Sequence, residues 1–190
     1  MKRLLLLLVF GLFALLQFNG CQSYSRKKSG VVVLIKGGGE FPQSLAGRWK
    51  ADQYGWEFVF GPDGNILSAV VAFGGYEIIP GQTKTVPLKE GGKGIYKPGL
   101  WTVQYSPSTR ELVVDIVMDY IHFETRPHLL EGKSRDVFVG EVSKNGKTWQ
   151  AEWFSFPDYI AYIPEPKKLT VDPNESLAAT LTFEKLEQPR

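Results

Sequence analysis

Residues 138–153 read FVGEVSKNGKTWQAEW and place an Asn-Gly dipeptide between two segments of alternating apolar and polar residues. Asn145-Gly146 readily takes positive φ at both positions, as the type I′ turn of a tight hairpin requires. Counting outward from it pairs Val142 with Trp149, Gly140 with Ala151 and Phe138 with Trp153 on one face, and Glu141 with Gln150 and Val139 with Glu152 on the other. The sequence therefore predicts an antiparallel hairpin with one face on a core.

The same alternation recurs outside this hairpin. A second long strand is predicted from Leu112 to Glu124, with Leu112, Val114, Ile116, Met118, Tyr120 and His122 on its core side. No window of eleven or more residues after Ser44 has a convincing helical period, whereas short strand-like segments separated by Gly and Pro are frequent. We therefore predict an all-β fold, an antiparallel up-and-down β-barrel, with a β-sandwich as the alternative.

Proline limits how far the late strands are expected to extend. We predict a loop around Pro157-Asp158 at the barrel mouth, and an irregular segment over Ile163–Lys168, because proline cannot donate to a strand ladder. The aromatic side chains near this loop are candidates for contacting a ligand. They are Phe154, Phe156, Tyr159 and Tyr162.

The N-terminus has the pattern of an export signal. Lys2 and Arg3 precede an apolar or Gly segment from Leu4 to Leu16, which is too short to span a bilayer comfortably. We therefore predict a signal peptide over residues 1–20, a tether over residues 21–44 and a single antiparallel β-domain over residues 45–190. Within the tether, Val31–Ile35 is either an added edge strand or a contact segment near the membrane.

Gly20 and Cys21, at the end of this signal, resemble the lipobox of bacterial lipoproteins. In that family the cysteine receives the lipid, so the resemblance implies that acyl chains on Cys21 anchor the protein to a membrane. Gln22 and Ser23 lack the aspartate that commonly retains Gram-negative lipoproteins in the inner membrane. The expected location is the bacterial cell envelope, at the outer membrane facing the periplasm rather than at the inner membrane.

Charge and cysteine content restrict the function further. The chain has 22 basic and 20 acidic residues, and without Lys2 and Arg3 the two counts are equal. A nearly neutral mature protein does not favour nucleic-acid binding. Cys21 is the only cysteine, so no internal disulfide can form.

Gly47 and Trp49 form a G-x-W motif at the start of the predicted β-domain. It resembles the first-strand motif of lipocalins and related calycin barrels. The resemblance implies that Trp49 packs across the closed end of a barrel. It also implies that the barrel interior binds a small hydrophobic or amphipathic molecule.

Residues with catalytic or metal-binding chemistry do not form a convincing set. His122, Glu124 and His128 are the only metal-like group, but Pro127 interrupts the strand before His128. Asp115 and Asp119 share a strand face, yet their α-carbons are about 13 Å apart, which is far for direct cooperation. We predict no metal and no cofactor, and the sequence favours a non-catalytic role over an enzyme without deciding between them. The expected function is non-catalytic ligand binding, with docking of an envelope partner or carbohydrate binding as alternatives.

Replacing the lipidated residue tests the anchor. The Cys21→Ser variant should move from the membrane fraction to the soluble fraction, because a serine hydroxyl cannot replace the thiol that takes the lipid. Fractionation of cells of the native host measures this, with Ser23→Ala as a control that stays with the membrane. Equal fractionation of both variants would contradict lipidation at Cys21.

Overall fold

The computed structural model describes residues 24–28, 30–72, 74–88, 92–125, 128–163, 165–170 and 177–187. The predicted signal peptide and Cys21 lie outside these residues. Within them, no helix is long and apolar enough to cross a membrane.

The described residues form fourteen strands in one hydrogen-bonded sheet. The first seven are β1 (Tyr24–Lys28), β2 (Val31–Ile35), β3 (Gly47–Ala51), β4 (Glu57–Phe60), β5 (Ile66–Val70), β6 (Glu77–Ile78) and β7 (Lys84–Pro87). The last seven are β8 (Lys93–Pro98), β9 (Trp101–Ser106), β10 (Glu111–Thr125), β11 (His128–Val142), β12 (Thr148–Ile163), β13 (Glu165–Thr170) and β14 (Leu177–Lys185). A 3-10 turn at Gln43–Leu45 precedes β3.

Three long strands, β10, β11 and β12, form the middle of the sheet. Each of their outer edges carries two shorter strands placed end to end: β9 and β8 on β10, and β14 and β13 on β12. The sheet continues from β14 through β3, β4 and β5 to β6, and from β9 through β2 to β1. All pairings are antiparallel except that of β2 with β9. The all-β prediction is therefore confirmed.

The predicted hairpin register is also confirmed. Val142 pairs with Trp149 and Phe138 with Trp153 across β11 and β12. The turn type differs, because only Gly146 of the dipeptide has positive φ, at 66°. The Asn145 side chain instead accepts hydrogen bonds from the Ser143 hydroxyl (2.7 Å) and the Lys147 amide (3.0 Å). A longer loop thus replaces the type I′ turn without shifting the strands.

A β-bulge divides β10 and changes which residues face inward. Met118 pairs with Ser134 and Ile121 with Gly132, so β10 has one extra residue between these pairs. Leu112, Val114, Ile116 and Met118 are buried as predicted. Beyond the bulge Ile121 is buried in place of Tyr120, so the prediction that Tyr120 and His122 face the core is wrong.

The predicted interruptions at proline are corrected by the structure. Pro157 lies within β12, where β14 pairing ends at Ser155 and β13 pairing begins at Asp158. At this position the missing N–H disrupts no described pairing. Residues 165–170 form β13 rather than an irregular segment, because Pro166 belongs to an edge strand that pairs only with β12.

The sheet curls around one core but does not close into the predicted barrel. Its path ends at β1 and β6, and no pairing among the described residues joins these ends. β6 has only two residues and is followed at once by a turn at Pro80-Gly81, so it offers too little backbone to complete a barrel. The two ends of the sheet are nevertheless close in space. Gly30, between β1 and β2, approaches Gly81, after β6, so closely that a Cβ added at Gly30 would lie 2.9 Å from the Gly81 nitrogen. The single continuous sheet also differs from a sandwich of two separate sheets.

The Val31–Ile35 segment is an integral strand. It pairs with both β1 and β9, and Val31, Val33 and Ile35 are buried in the core. The β-domain therefore includes part of the segment assigned to the tether (residues 21–44), and its boundary does not lie at residue 45.

Two buried tryptophans anchor different parts of the core. Trp49, in the G-x-W motif, is fully buried, and its indole N–H donates to the Leu45 carbonyl in the 3-10 turn (2.8 Å). Trp149 is equally buried and stacks on Phe183, with ring centroids 4.6 Å apart. Its indole N–H has no hydrogen-bond partner among the described residues.

This difference predicts unequal effects of the same substitution. Trp49→Phe should destabilise the domain more than Trp149→Phe, by about 1–2 kcal/mol, because only the first leaves a buried carbonyl without its partner. Both exchanges remove the same atoms, so each variant controls for the volume lost by the other. Urea unfolding of the two variants measures the difference. Equal losses of stability would contradict an anchoring role for the Trp49 hydrogen bond.

Candidate functional site

A cavity of about 250 Å³, partly open to solvent, lies against the inner face of the long strands. Its wall comes from the part of β10, β11 and β12 beyond the packed core, together with β8, the residue before β4 and the residues after β5. Ser134 and Ser155 occupy inward positions on neighbouring strands where large side chains fill the rest of the core. Their small volume leaves space there.

The cavity lining is mainly apolar and rich in aromatic rings. The aromatic lining residues are Trp56, Tyr96, Trp153 and Tyr159, and the aliphatic ones are Val71, Ala72, Ile116, Met118, Ile121 and Pro157. The polar lining residues are Ser134, Asp136 and Ser155. Such a combination of an apolar wall and a few convergent polar groups is typical of small-molecule sites.

Trp153 and Trp56 separate the cavity from the aromatic core. The Trp153 ring stacks on Phe138 with centroids 6.3 Å apart and planes at 10°. Trp56 meets Phe138 edge to face at 5.0 Å. The indole N–H of Trp56 is buried and has no hydrogen-bond partner among the described residues.

Asp136 is the buried charged group of the site, with 7% of its surface exposed. Its carboxyl accepts a hydrogen bond from the Trp153 indole N–H (3.0 Å) and also bonds with the hydroxyls of Ser155 and Ser134. Burial nevertheless raises the pKa of the Asp136 carboxyl, against the opposing effect of these hydrogen bonds. The negative charge of Asp115 raises this pKa further.

The two cavity tyrosines remain protonated hydroxyls near neutral pH. Burial raises the pKa of Tyr159 to about 12, although a hydrogen bond with Ser134 opposes the shift. Burial likewise raises the pKa of Tyr96. Through Ser134, the polar network of the cavity extends from the Asp136 carboxyl to the Tyr159 hydroxyl.

The structure separates the four aromatic residues predicted to contact a ligand. Tyr159 lines the cavity, whereas Phe154, Phe156 and Tyr162 fall on the opposite face of β12. The Tyr162 hydroxyl instead lies 3.4 Å from a Glu131 carboxylate oxygen on the outside of the sheet.

The metal-like group also lies outside the cavity. His122 Nε2 is 3.8 Å from Glu124 Oε2, and His122 Nδ1 is 3.7 Å from Glu131 Oε2, while His128 is exposed at the start of β11. In the described part of the chain, no three His, Cys, Asp or Glu side chains are placed to hold a metal ion.

Of the two candidate aspartates, Asp115 is held by Arg135. Three hydrogen bonds from the guanidinium to the carboxylate, of 2.8–3.2 Å, form this ion pair. Asp119 is exposed and lies in the bulge of β10.

Two wider depressions lie elsewhere on the surface. One of about 660 Å³ is bordered by Gly61-Pro62 and Asn145–Lys147, and one of about 570 Å³ by Glu40, Phe41 and Asp63. The described residues that line them include no buried charged side chain. The Asp136 cavity is therefore the strongest candidate site.

Sequence reasoning missed Asp136, although the signal was present. Continuing the confirmed alternation two residues beyond Phe138 reaches Asp136, and two residues beyond Trp153 reaches Ser155. Polar residues at inward positions of an otherwise apolar face mark a functional cavity or a buried network.

Known proteins give no further information on this site. No family model, curated protein or solved structure matches the chain. The site must therefore be interpreted from its own geometry.

The Asp136 carboxyl should make stability depend on pH. Because its pKa is raised in the folded state from the ordinary 3.8, the unfolded chain releases this proton first as pH rises. Stability should therefore fall from about pH 4 upward until the folded-state carboxyl has ionised, with a slope of at most about 1.4 kcal/mol per pH unit.

Asp136→Asn should remove this contribution, because the amide stays neutral and its oxygen can still accept from Trp153. The variant should gain stability over the wild type as pH rises from 4 to 7, measured by urea unfolding across that range. The charged Asp115 is unchanged in both proteins, and Tyr96 and Tyr159 stay neutral. Asp119→Asn, which removes an exposed carboxylate, serves as the control. Parallel pH profiles for Asp136→Asn and the wild type would contradict the raised pKa.

Proposed function

We propose that this β-domain binds a small, largely apolar ligand in the Asp136 cavity without transforming it. The observation that carries the proposal is the cavity itself, because the neighbouring interior is filled by closely packed aromatic rings. Leaving such a space unfilled forgoes contacts that stabilise a core, so its presence needs an explanation beyond folding.

The cavity volume limits the size of the ligand. An engineered cavity of about 150 Å³ accommodates benzene. On that scale, about 250 Å³ fits a molecule of roughly ten non-hydrogen atoms. A single ring with a short side chain meets this limit.

The sequence supports a location for this binding. The predicted signal peptide and the lipobox-like Gly20-Cys21 favour a lipid-anchored protein of the bacterial cell envelope, held at the outer membrane and facing the periplasm. We include this location in the proposal. A binding domain so placed would act on molecules that enter or leave the envelope.

Filling the cavity tests the binding function. Ala72 is half-buried in the lining, so the side chain added in Ala72→Phe should occupy the ligand space without displacing the core. Native mass spectrometry of protein purified from its own host should show a retained small molecule on the wild type. The Ala72→Phe variant should lose most of that added mass.

The matched control is Ala178→Phe, the same exchange at an exposed position of β14. This variant should retain the ligand as the wild type does. An added mass that persists in Ala72→Phe, or a wild type that carries none, would contradict the proposed function.

A further inference from the structure

The described lining of the cavity contains an acidic side chain and no basic one. Asp136 is the only charged side chain among the described lining residues, and its known hydrogen bonds are to an indole N–H and two hydroxyls. The neighbouring cation, Arg135, is committed to Asp115 on the other face of β11. A buried carboxylate without a cationic partner is costly, and a cation delivered to it gains strongly.

The aromatic wall favours the same kind of ligand. Trp56, Tyr96, Trp153 and Tyr159 all border the space around Asp136. The π faces of such rings carry negative potential and attract cations, most strongly where water is excluded. The same rings also bury an apolar body effectively.

From these two observations we infer that the ligand is a small aryl- or alkylamine, bound with its protonated amino group against the Asp136 carboxylate. This inference rests on the proposed function, because it assigns a chemical class to the ligand of that cavity. The ammonium N–H donates to the carboxylate, and the apolar body lies among the rings. A carboxylate-bearing ligand is repelled by Asp136, and an alcohol donates a hydrogen bond to the carboxylate but brings no positive charge to offset its negative one.

Three probes of one shape and different charge separate these cases. 2-Phenylethylamine, 2-phenylethanol and phenylacetate share a phenyl ring and a two-carbon side chain, and all are within the size limit of the cavity. Isothermal titration of the dialysed full chain near pH 7.5 should show the amine binding at least about tenfold more tightly than the alcohol, because the ammonium adds the attraction of opposite charges to the hydrogen bond. The carboxylate should bind most weakly.

Asp136→Asn assigns this preference to one residue. The variant should lose the preference for the amine, so that its affinities for the amine and the alcohol agree within about threefold. Asp119→Asn, which removes an exposed carboxylate of the same net charge, should keep the full preference. An amine preference that survives in Asp136→Asn would overturn the inference.

The outcomes also separate this inference from the proposed function. If the wild type binds the amine and the alcohol equally and Ala72→Phe abolishes both, the cavity is a ligand site but the amine class is wrong. A retained native ligand whose formula lacks basic nitrogen would have the same meaning. If none of the three probes binds but the wild type retains a small molecule without basic nitrogen, the amine class is overturned and the proposed function stands. If no probe binds and no small molecule is retained, both proposals are overturned.

Discussion

The register between β11 and β12 determines which side chains enter the interior of this protein. Every second residue of each strand faces the core, so a shift of β12 by one residue would bring Glu152 inside and expose Trp153. Gly140 permits the close approach of the two backbones in this register, because any Cβ there would collide with the Gln150 carbonyl. The register thus determines the positions of both the apolar core and the cavity.

The same inner face serves two purposes along its length. Near the hairpin turn it carries Phe138 and Trp149, whose rings pack with Phe58 and Phe183 into a solid core. Farther along, large residues give way to Ser134 and Ser155, which leave room and supply hydroxyls. The packed part stabilises the fold. The part around the cavity contains the buried Asp136 carboxyl, whose desolvation is unfavourable.

How far the sequence predicts this arrangement depends on the range of the interactions. The hairpin was predictable because turn residues and alternation act locally and agree. The bulge in β10 was not, because an extra residue leaves no local mark and shows only where Met118 and Ile121 meet different partners on β11. Barrel closure was mispredicted for a related reason. It depends on whether the two ends of a long sheet can pair, and β6 is too short to do so.

The sequence predicted only part of the candidate site. The sequence pointed to Tyr159, but the same prediction for Phe154, Phe156 and Tyr162 assumed a loop around Pro157. The strand in fact continues through this position. That continuation places Phe154, Phe156 and Tyr162 outside. Asp136 could have been found by extending the alternation from Phe138, since a carboxylate at an inward position is conspicuous.

The junction at Pro157 has a mechanical consequence for the cavity. Its wall at Ser155–Tyr159 lies where β14 ends and β13 begins, so among the described residues Phe156 and Pro157 are hydrogen-bonded along one edge only, to β11. In the described part of the chain, this length of wall therefore has fewer interstrand hydrogen bonds than the wall on either side of it. Local separation of the sheet beside the cavity costs the least free energy at these two residues.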